Sequence, residues 1–145
     1  MIGAFIHIFK LTAMQKVKHQ LVFREDDFEM LTACLNDGRR ASAFGPQIVE
    51  ALQADFKKAK LVKKDEFPTD VVRLNSKVIV KDVNNDKTME IIVVMPEDAD
   101  IKQRKISVMN PVGVALIGFR QGQQVAWQVP TGQKKFTIME VINQD

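Results

Sequence analysis

The sequence predicts an α+β fold, in which a short antiparallel helical hairpin precedes an antiparallel sheet domain carrying one short helix. Three observations predict it. The composition shifts near residue 67, from helical patterning to β-branched residues and turn signals. Before that point, apolar residues recur at helical spacing in two separate stretches. After it, short apolar or alternating runs are separated by turns rich in Asn, Gly and Pro. The 145 residues are 46% hydrophobic and 27% charged, which suits one domain or two small ones and excludes wholesale disorder.

The first helix is expected over residues 26–36. Asp26 and Glu29 have capping-box spacing, and Phe28, Leu31 and Leu35 form one apolar stripe. Asp37-Gly38 should end the helix through a left-handed glycine. Residues 38–45 form the connecting loop, with Arg39 and Arg40 at its tip. Pro46 suits the first turn of a second helix, because its missing N–H is not needed there. Ile48, Leu52, Phe56 and Ala59 form the second stripe, with Val49 beside it. The lysines from Lys57 to Lys64 crowd the last turn and beyond, where cations complement the helix dipole. Two amphipathic helices joined by a short loop pack antiparallel. Residues 60–67 read as a charged hinge ending in Phe67-Pro68.

Strands are expected at Lys77–Val83, Thr88–Met95 and Ile106–Val108, the second buried along Ile91–Met95. Asn84-Asn85-Asp86 and the acidic stretch Pro96–Asp100 are turns. Pro111–Ile117 suits a short helix, opened by Asn110 as cap and closed by Gly118. Gln121-Gly122-Gln123 is a turn, and Val125, Trp127 and Val129 alternate with polar residues, so one sheet face there is buried. Pro130-Thr131-Gly132 turns into a last strand, Lys135–Ile142. The organisation expected is an N-terminal arm (1–24), a hairpin with linker (25–66) and a sheet domain (67–145).

The charge balance excludes several functions. Lys and Arg number 21 and Asp and Glu 18, so the net charge is +3, spread over both parts of the chain. That is too even for long-range steering of nucleic acid, and no sequence-specific nucleic-acid binding is expected. Cys34 is the single cysteine, which excludes an intrachain disulfide and an all-cysteine metal site; it reads as a small core residue of a protein in a reducing compartment. The two histidines, His7 and His19, offer no partner spacing, so neither a metal nor a cofactor is expected. The apolar run Ile2–Phe9 is far shorter than the roughly 20 residues of a membrane span and lacks the charge order of a signal peptide. Met14 is an alternative start. A monomeric cytoplasmic protein without a membrane partner is expected.

From Asp70 onward the sequence resembles the C-terminal domain of the bacterial GreA/GreB transcript-cleavage factors. The carrying stretch is Ile106-Ser107-Val108-Met109-Asn110-Pro111-Val112-Gly113-Val114-Ala115-Leu116-Ile117-Gly118, against the family pattern I-S-x-x-S-P-x-G-x-A-L-x-G. Gly122, Val125 and the Pro130-x-Gly132 turn follow at the family's spacing. Asn110 stands where the family has Ser, and both residues can cap a helix. The resemblance implies an FKBP-like domain, a curved antiparallel sheet with a short helix against it. It also implies that the loop of Met109, Asn110, Pro111, Val112 and Gly113 docks on RNA polymerase. The other reading of that loop is structural: Pro and Gly shape a turn while Ala115, Leu116 and Ile117 fill the core. The sequence does not separate the two.

The N-terminal half selects the branch. GreA and GreB carry a long coiled coil into the secondary channel of RNA polymerase, with two acidic tip residues that help hold the catalytic magnesium. Here the expected helices run about 16 to 22 Å at 1.5 Å per residue. The tip offers one carboxylate, Asp37, beside Arg39 and Arg40, a poor donor set for a hard cation. The short hairpin followed by Phe67–Ser76 instead resembles the Rnk-type members, regulators of nucleoside diphosphate kinase. That resemblance implies docking near the secondary channel, in competition with the Gre factors and without stimulating cleavage. Arg39 and Arg40 would then meet acidic polymerase residues or RNA phosphates; the alternative is a solvated loop. Two other functions stay open: a cleavage factor of the GreA/GreB type, and a protein-interaction module independent of polymerase. An FKBP-type prolyl isomerase is disfavoured. The chain has no tyrosine and one tryptophan, Trp127, and Phe119 and Phe136 do not complete an aromatic pocket, so no enzyme activity is expected.

Overall fold

The computed structural model describes residues 21–38, 45–129 and 131–143. The fold is mixed α+β. Strand β1 (Val22–Arg24) leads directly into helix α1 (Glu25–Asn36); α2 (Pro46–Lys58) leads into β2 (Lys60–Val62). Then follow β3 (Lys77–Asp82), β4 (Thr88–Val94), β5 (Lys105–Ser107), the short helix α3 (Pro111–Leu116), β6 (Gln124–Val129) and β7 (Gly132–Ile142). No helix among the described residues is long and apolar enough to cross a membrane.

Both long helices form where the apolar stripes place them, but their ends differ from expectation. Asp26 does not cap α1. The cap position is Arg24, in extended conformation, and Asp26 sits in the first turn. Its carboxylate accepts two hydrogen bonds from the Arg24 guanidinium, both 2.7 Å, and one from the Asp27 N–H at 3.0 Å. A bidentate charge-assisted pair outcompetes a single neutral cap bond, and the helix dipole still favours the acid in that turn. The C-terminus closes without a left-handed glycine. Asp37 is extended, with φ −82°, and its N–H donates to the Cys34 carbonyl at 3.4 Å. This tighter i to i−3 bond satisfies an end carbonyl, so Gly38 has no left-handed role. Pro46 occupies the first turn of α2 as expected, after Gly45 at φ 84°.

The expected hinge at 60–67 contains a strand. Lys60–Val62 pairs in parallel with Val22–Arg24, Val22 opposite Lys60 and Arg24 opposite Val62. The Lys60 N–H donates to the Leu21 carbonyl at 2.9 Å. The two ends of the helical segment are thereby clasped side by side. Within it, the first turn of α1 meets the last turn of α2, where the Phe28 and Phe56 rings lie 4.9 Å apart. Phe23 of β1 makes an edge contact with the same Phe56 ring at 5.4 Å.

The five-stranded sheet has the order β5-β4-β3-β7-β6. Its pairings are antiparallel except that β5 runs parallel to β4, Ile92 opposite Lys105 and Val94 opposite Ser107. A parallel neighbour requires the chain to cross back, and residues 95–104 do so through two 3-10 turns, Pro96–Asp98 and Ile101–Gln103. Strand β3 alternates strictly, with Val78, Val80 and Asp82 inward. A register shift at Ile79/Val80 leaves Met139 of β7 without an opposite residue. Strand β7 starts at Gly132 rather than Lys135, because the turn is tighter than expected, with Gly132 at φ 137°. Val125 of β6 is buried as its alternation requires. Pro130 lies outside the described residues.

The core is one continuous cluster. Leu21, Phe23, Leu31, Cys34, Leu35 and Leu52 from the N-terminal part join Val78, Val80, Val93, Leu116, Ile117 and Ile138 from the sheet and α3. Gly118 shows how close the two parts come. A Cβ on it would lie 3.3 Å from Leu21 Cβ and 3.5 Å from the Phe23 ring, at a backbone φ of 85°.

Candidate functional site

The loop singled out in the sequence hangs between β5 and α3. Its geometry follows from a few polar side chains. The Val108 N–H donates to the Val94 carbonyl at 2.7 Å, continuing the strand by one residue. Ser107 Oγ then accepts from the Met109 N–H at 3.0 Å, and the Ser107 carbonyl accepts from the Asn110 N–H at 2.9 Å. Asn110 is the N-cap of α3, its Oδ1 accepting from the Val112 N–H at 2.9 Å, with Pro111 in the first turn. Gly118 follows α3 in left-handed conformation, its N–H donating to the Val72 carbonyl at 3.0 Å.

The five loop residues divide by burial. Asn110 and Pro111 are exposed and Val112 is half-buried, whereas Met109 is 2% exposed and Gly113 is buried. Gly113 has no room for a side chain. An added Cβ would lie 2.4 Å from the Ser107 carbonyl oxygen and 2.8 Å from Val108 Cα, both backbone atoms. Met109 and Gly113 thus shape the loop from within, and Asn110, Pro111 and Val112 are its accessible residues. Leu116 and Ile117 are fully buried in the core. Arg39, Arg40, His7 and His19 lie outside the described residues.

A second feature had no sequence signal. Asp27 of α1 is 2% exposed, and its carboxylate accepts from Arg73 Nη2 at 2.8 Å and Nε at 3.0 Å and from the Leu74 N–H at 3.3 Å. Burial raises the Asp27 carboxyl above its ordinary range, and the Arg73 guanidinium opposes that shift. Ser76 Oγ accepts from the Arg73 N–H at 2.8 Å and hydrogen-bonds Asn143 Oδ1, while Asn143 Nδ2 donates to the Thr69 and Val71 carbonyls at 3.0 and 3.1 Å. Arg24, Lys64, Thr69, Arg73 and Asn143 line an open cleft of about 450 Å³ between the helical segment and the sheet domain. Asp27 and Arg73, and Asn143 and its partners, are dozens of residues apart in sequence, so no local spacing could show them. Among the described residues no group of three or more His, Cys, Asp and Glu side chains converges as a metal site would.

A third feature is the loop before β5. Ile101 stands 82% exposed on the 3-10 turn between β4 and β5, the most exposed large apolar side chain among the described residues.

The family model described as "Transcription elongation factor, GreA/GreB, C-term" matches residues 67–143. The transcription elongation factor GreA of Acetivibrio thermocellus is 42% identical over 90 residues, covering 62% of this chain and 57% of the relative. GreA of Clostridium kluyveri is 34% identical over 106 residues, covering 73% of this chain and 67% of the relative. The chain thus spans 57% to 67% of the length of these curated relatives. A solved structure, the prokaryotic transcription elongation factor GreA/GreB from Nitrosomonas europaea, superposes with a TM-score of 0.72 at 30% identity, over 86% of this chain and all of that one.

Proposed function

Because this chain belongs to the GreA/GreB transcription elongation factor family, we propose that it regulates transcription by binding RNA polymerase at the rim of the secondary channel. It competes there with the Gre factors and does not stimulate transcript cleavage. The observation that carries this reading is the length of the helices. Helix α1 has 12 residues and α2 has 13, so each spans about 18 to 20 Å. The contact of Phe28 with Phe56 supports an antiparallel pair, the arrangement of the Rnk-type members. A pair this short would occupy the channel entrance without reaching the catalytic centre. The sheet with α3 against β6 supports the FKBP-like arrangement that the family resemblance implies.

In this mechanism the sheet domain supplies the anchorage. Asn110 and Pro111 project from a loop held by Ser107 and by the close approach at Gly113, so little freedom is lost when a partner covers them. The helical segment then excludes competitors sterically. Arg39 and Arg40 are proposed contacts at its tip.

Two measurements test the reading. Core RNA polymerase should retain the protein, and added GreA should displace it. In stalled elongation complexes the protein should leave the rate of transcript cleavage at its intrinsic value and should lower the rate that GreA produces. Cleavage that rises with the protein alone would establish the cleavage-factor alternative. Absence of binding at micromolar concentration would leave a polymerase-independent interaction module.

A further inference from the structure

Single exposed apolar residues are ordinary on a protein surface. Ile101 is set apart by its degree of exposure and by the loop that carries it. The segment Asp100–Lys105 is closed by a reciprocal backbone pair, the Asp100 N–H donating to the Lys105 carbonyl at 3.0 Å and the Lys105 N–H to the Asp100 carbonyl at 2.9 Å. Asp100 also accepts from the Lys102 N–H through Oδ1 at 3.1 Å and from Gln103 Nε2 through Oδ2 at 2.8 Å. The Arg104 N–H donates to the Ile101 carbonyl at 3.1 Å, and Arg104 takes a left-handed conformation, φ 60°, that a non-glycine residue adopts at a cost. The loop is thus fastened through its backbone and through Asp100, and Ile101 is the one large apolar side chain that it exposes. A loop selected only to connect β4 with β5 needs no apolar side chain there.

The loop carries more positive than negative charge. Lys102 and Arg104 are exposed and Lys105 is half-exposed, all within four residues of Ile101, against the single carboxylate of Asp100, which accepts from the Lys102 N–H and Gln103 Nε2. The acids Glu97 and Asp98 belong to the other 3-10 turn, which follows the end of β4 and packs beside β5. A partner that fits this surface has an apolar pocket for one branched side chain and carboxylates around its rim.

The position ties this surface to the docking loop. Strand β5 is the edge of the sheet; Ile101 precedes it and Asn110 follows it. From Lys105 to Asn110 the chain spans at most about 17 Å. A stable protein interface covers about 800 Å² per partner, which Asn110, Pro111 and Val112 cannot supply by themselves. We infer that Ile101, on a loop that also exposes Lys102 and Arg104, is a second anchor on the same sheet edge, which inserts into an acid-rimmed apolar pocket of the polymerase that the Asn110–Pro111 loop contacts. This inference rests on the docking reading above and adds to it the anchor and the chemistry of the surface it meets.

The test compares equilibrium binding of the full-length chain to core polymerase without nucleic acid, for the wild type, Ile101→Ser, the pair Lys102→Glu with Arg104→Glu, Pro111→Asp, and Leu61→Ser as a control exposed to 42% on β2. Ile101→Ser should weaken binding at least about tenfold, as for an anchor in a desolvated pocket. The charge reversals should weaken it further at low salt than at high salt. Thermal unfolding of the Ile101 and charge variants should stay at the wild-type midpoint, since Ile101 touches no core. If the wild type binds and Pro111→Asp weakens it while Ile101→Ser does not, the second anchor is wrong and the docking reading stands. If Leu61→Ser weakens binding as much as Ile101→Ser, the effect is general apolar adhesion and the anchor is overturned. If the charge reversals leave binding to this nucleic-acid-free polymerase unchanged, the acidic rim of the pocket is refuted. A wild type that does not bind polymerase removes both readings.

Discussion

At the scale of single residues, the loop depends on Gly113 more than on the residues a partner would touch. With backbone atoms of Ser107 and Val108 inside 3 Å of a new Cβ, Gly113→Ala forces β5 and α3 apart. It should destabilise the protein by roughly 1–3 kcal/mol, read as a lowered urea midpoint, and should distort the docking loop as well. The Asp27–Arg73 pair is the other residue-scale dependence. Asp27→Ala leaves the Arg73 guanidinium buried without this partner and should cost about 3–5 kcal/mol in denaturant unfolding. Acid acts on the two neighbouring carboxyls in opposite directions. Asp26 is held down to about 2, chiefly by its hydrogen bonds from Arg24. Its contribution is complete above the ordinary carboxyl value of about 4 and is lost as pH falls from there toward 2. The Asp27 carboxyl is raised by burial, so its protonation favours the fold, and stability is regained as pH falls through its raised value. Asp26→Asn should therefore flatten the acid limb of stability below about pH 4. The loss should stay under about 1 kcal/mol because Asp26 is more than half exposed.

At the scale of elements, α3 is a six-residue helix whose start rests on one side-chain bond. Asn110→Ala should cost about 1 kcal/mol, and Asn110→Ser should restore most of it, because either oxygen reaches the Val112 N–H. Hydrogen exchange at Val112 would report the difference. Elements that depend on local chemistry were legible in the sequence. The stripes Phe28-Leu31-Leu35 and Ile48-Leu52-Phe56 gave both helices, and Asn110-Pro111 with Gly118 gave α3. What required a distant partner was not legible. Val22–Arg24 and Lys60–Val62 are three residues each, too short for a periodic signal, and each is a strand only because the other is there. The capping box at Asp26 failed for a related reason: Arg24 was a stronger partner than the backbone. The parallel placement of β5 likewise depends on the crossing-back of residues 95–104, which no turn motif announces.

At the scale of the whole molecule, the composition boundary near residue 67 is a boundary in sequence and not in packing. Leu21, Phe23, Leu31 and Leu52 share one core with the sheet, and Phe23 also holds Phe56. The full chain should unfold in one cooperative transition, with far-UV circular dichroism and hydrogen exchange of α1 and β3 giving the same free energy. Phe23→Ala should lower that shared stability by about 3–5 kcal/mol rather than release the helices alone. The candidate site is only partly a property of the motif-bearing segment. Its loop was readable as a pattern, whereas the division of that loop into supports and contacts, and the presence of Ile101 at the other end of β5, exist only in three dimensions.

The parallel pairing of β1 with β2 makes reach an adjustable quantity. The helical segment begins after Arg24 and ends before Lys60, and the ladder between the flanking strands holds its two ends together. Leu31, Leu35 and Leu52 fasten its inner turns to the shared core. Residues added in matched numbers after Leu35 and before Ile48 would lengthen the segment by about 1.5 Å for each pair, without altering a contact in the sheet or in the docking loop. A single scaffold can in this way carry probes of different lengths, much as one handle takes blades of different sizes, and the depth that the tip attains becomes independent of how tightly the base is held.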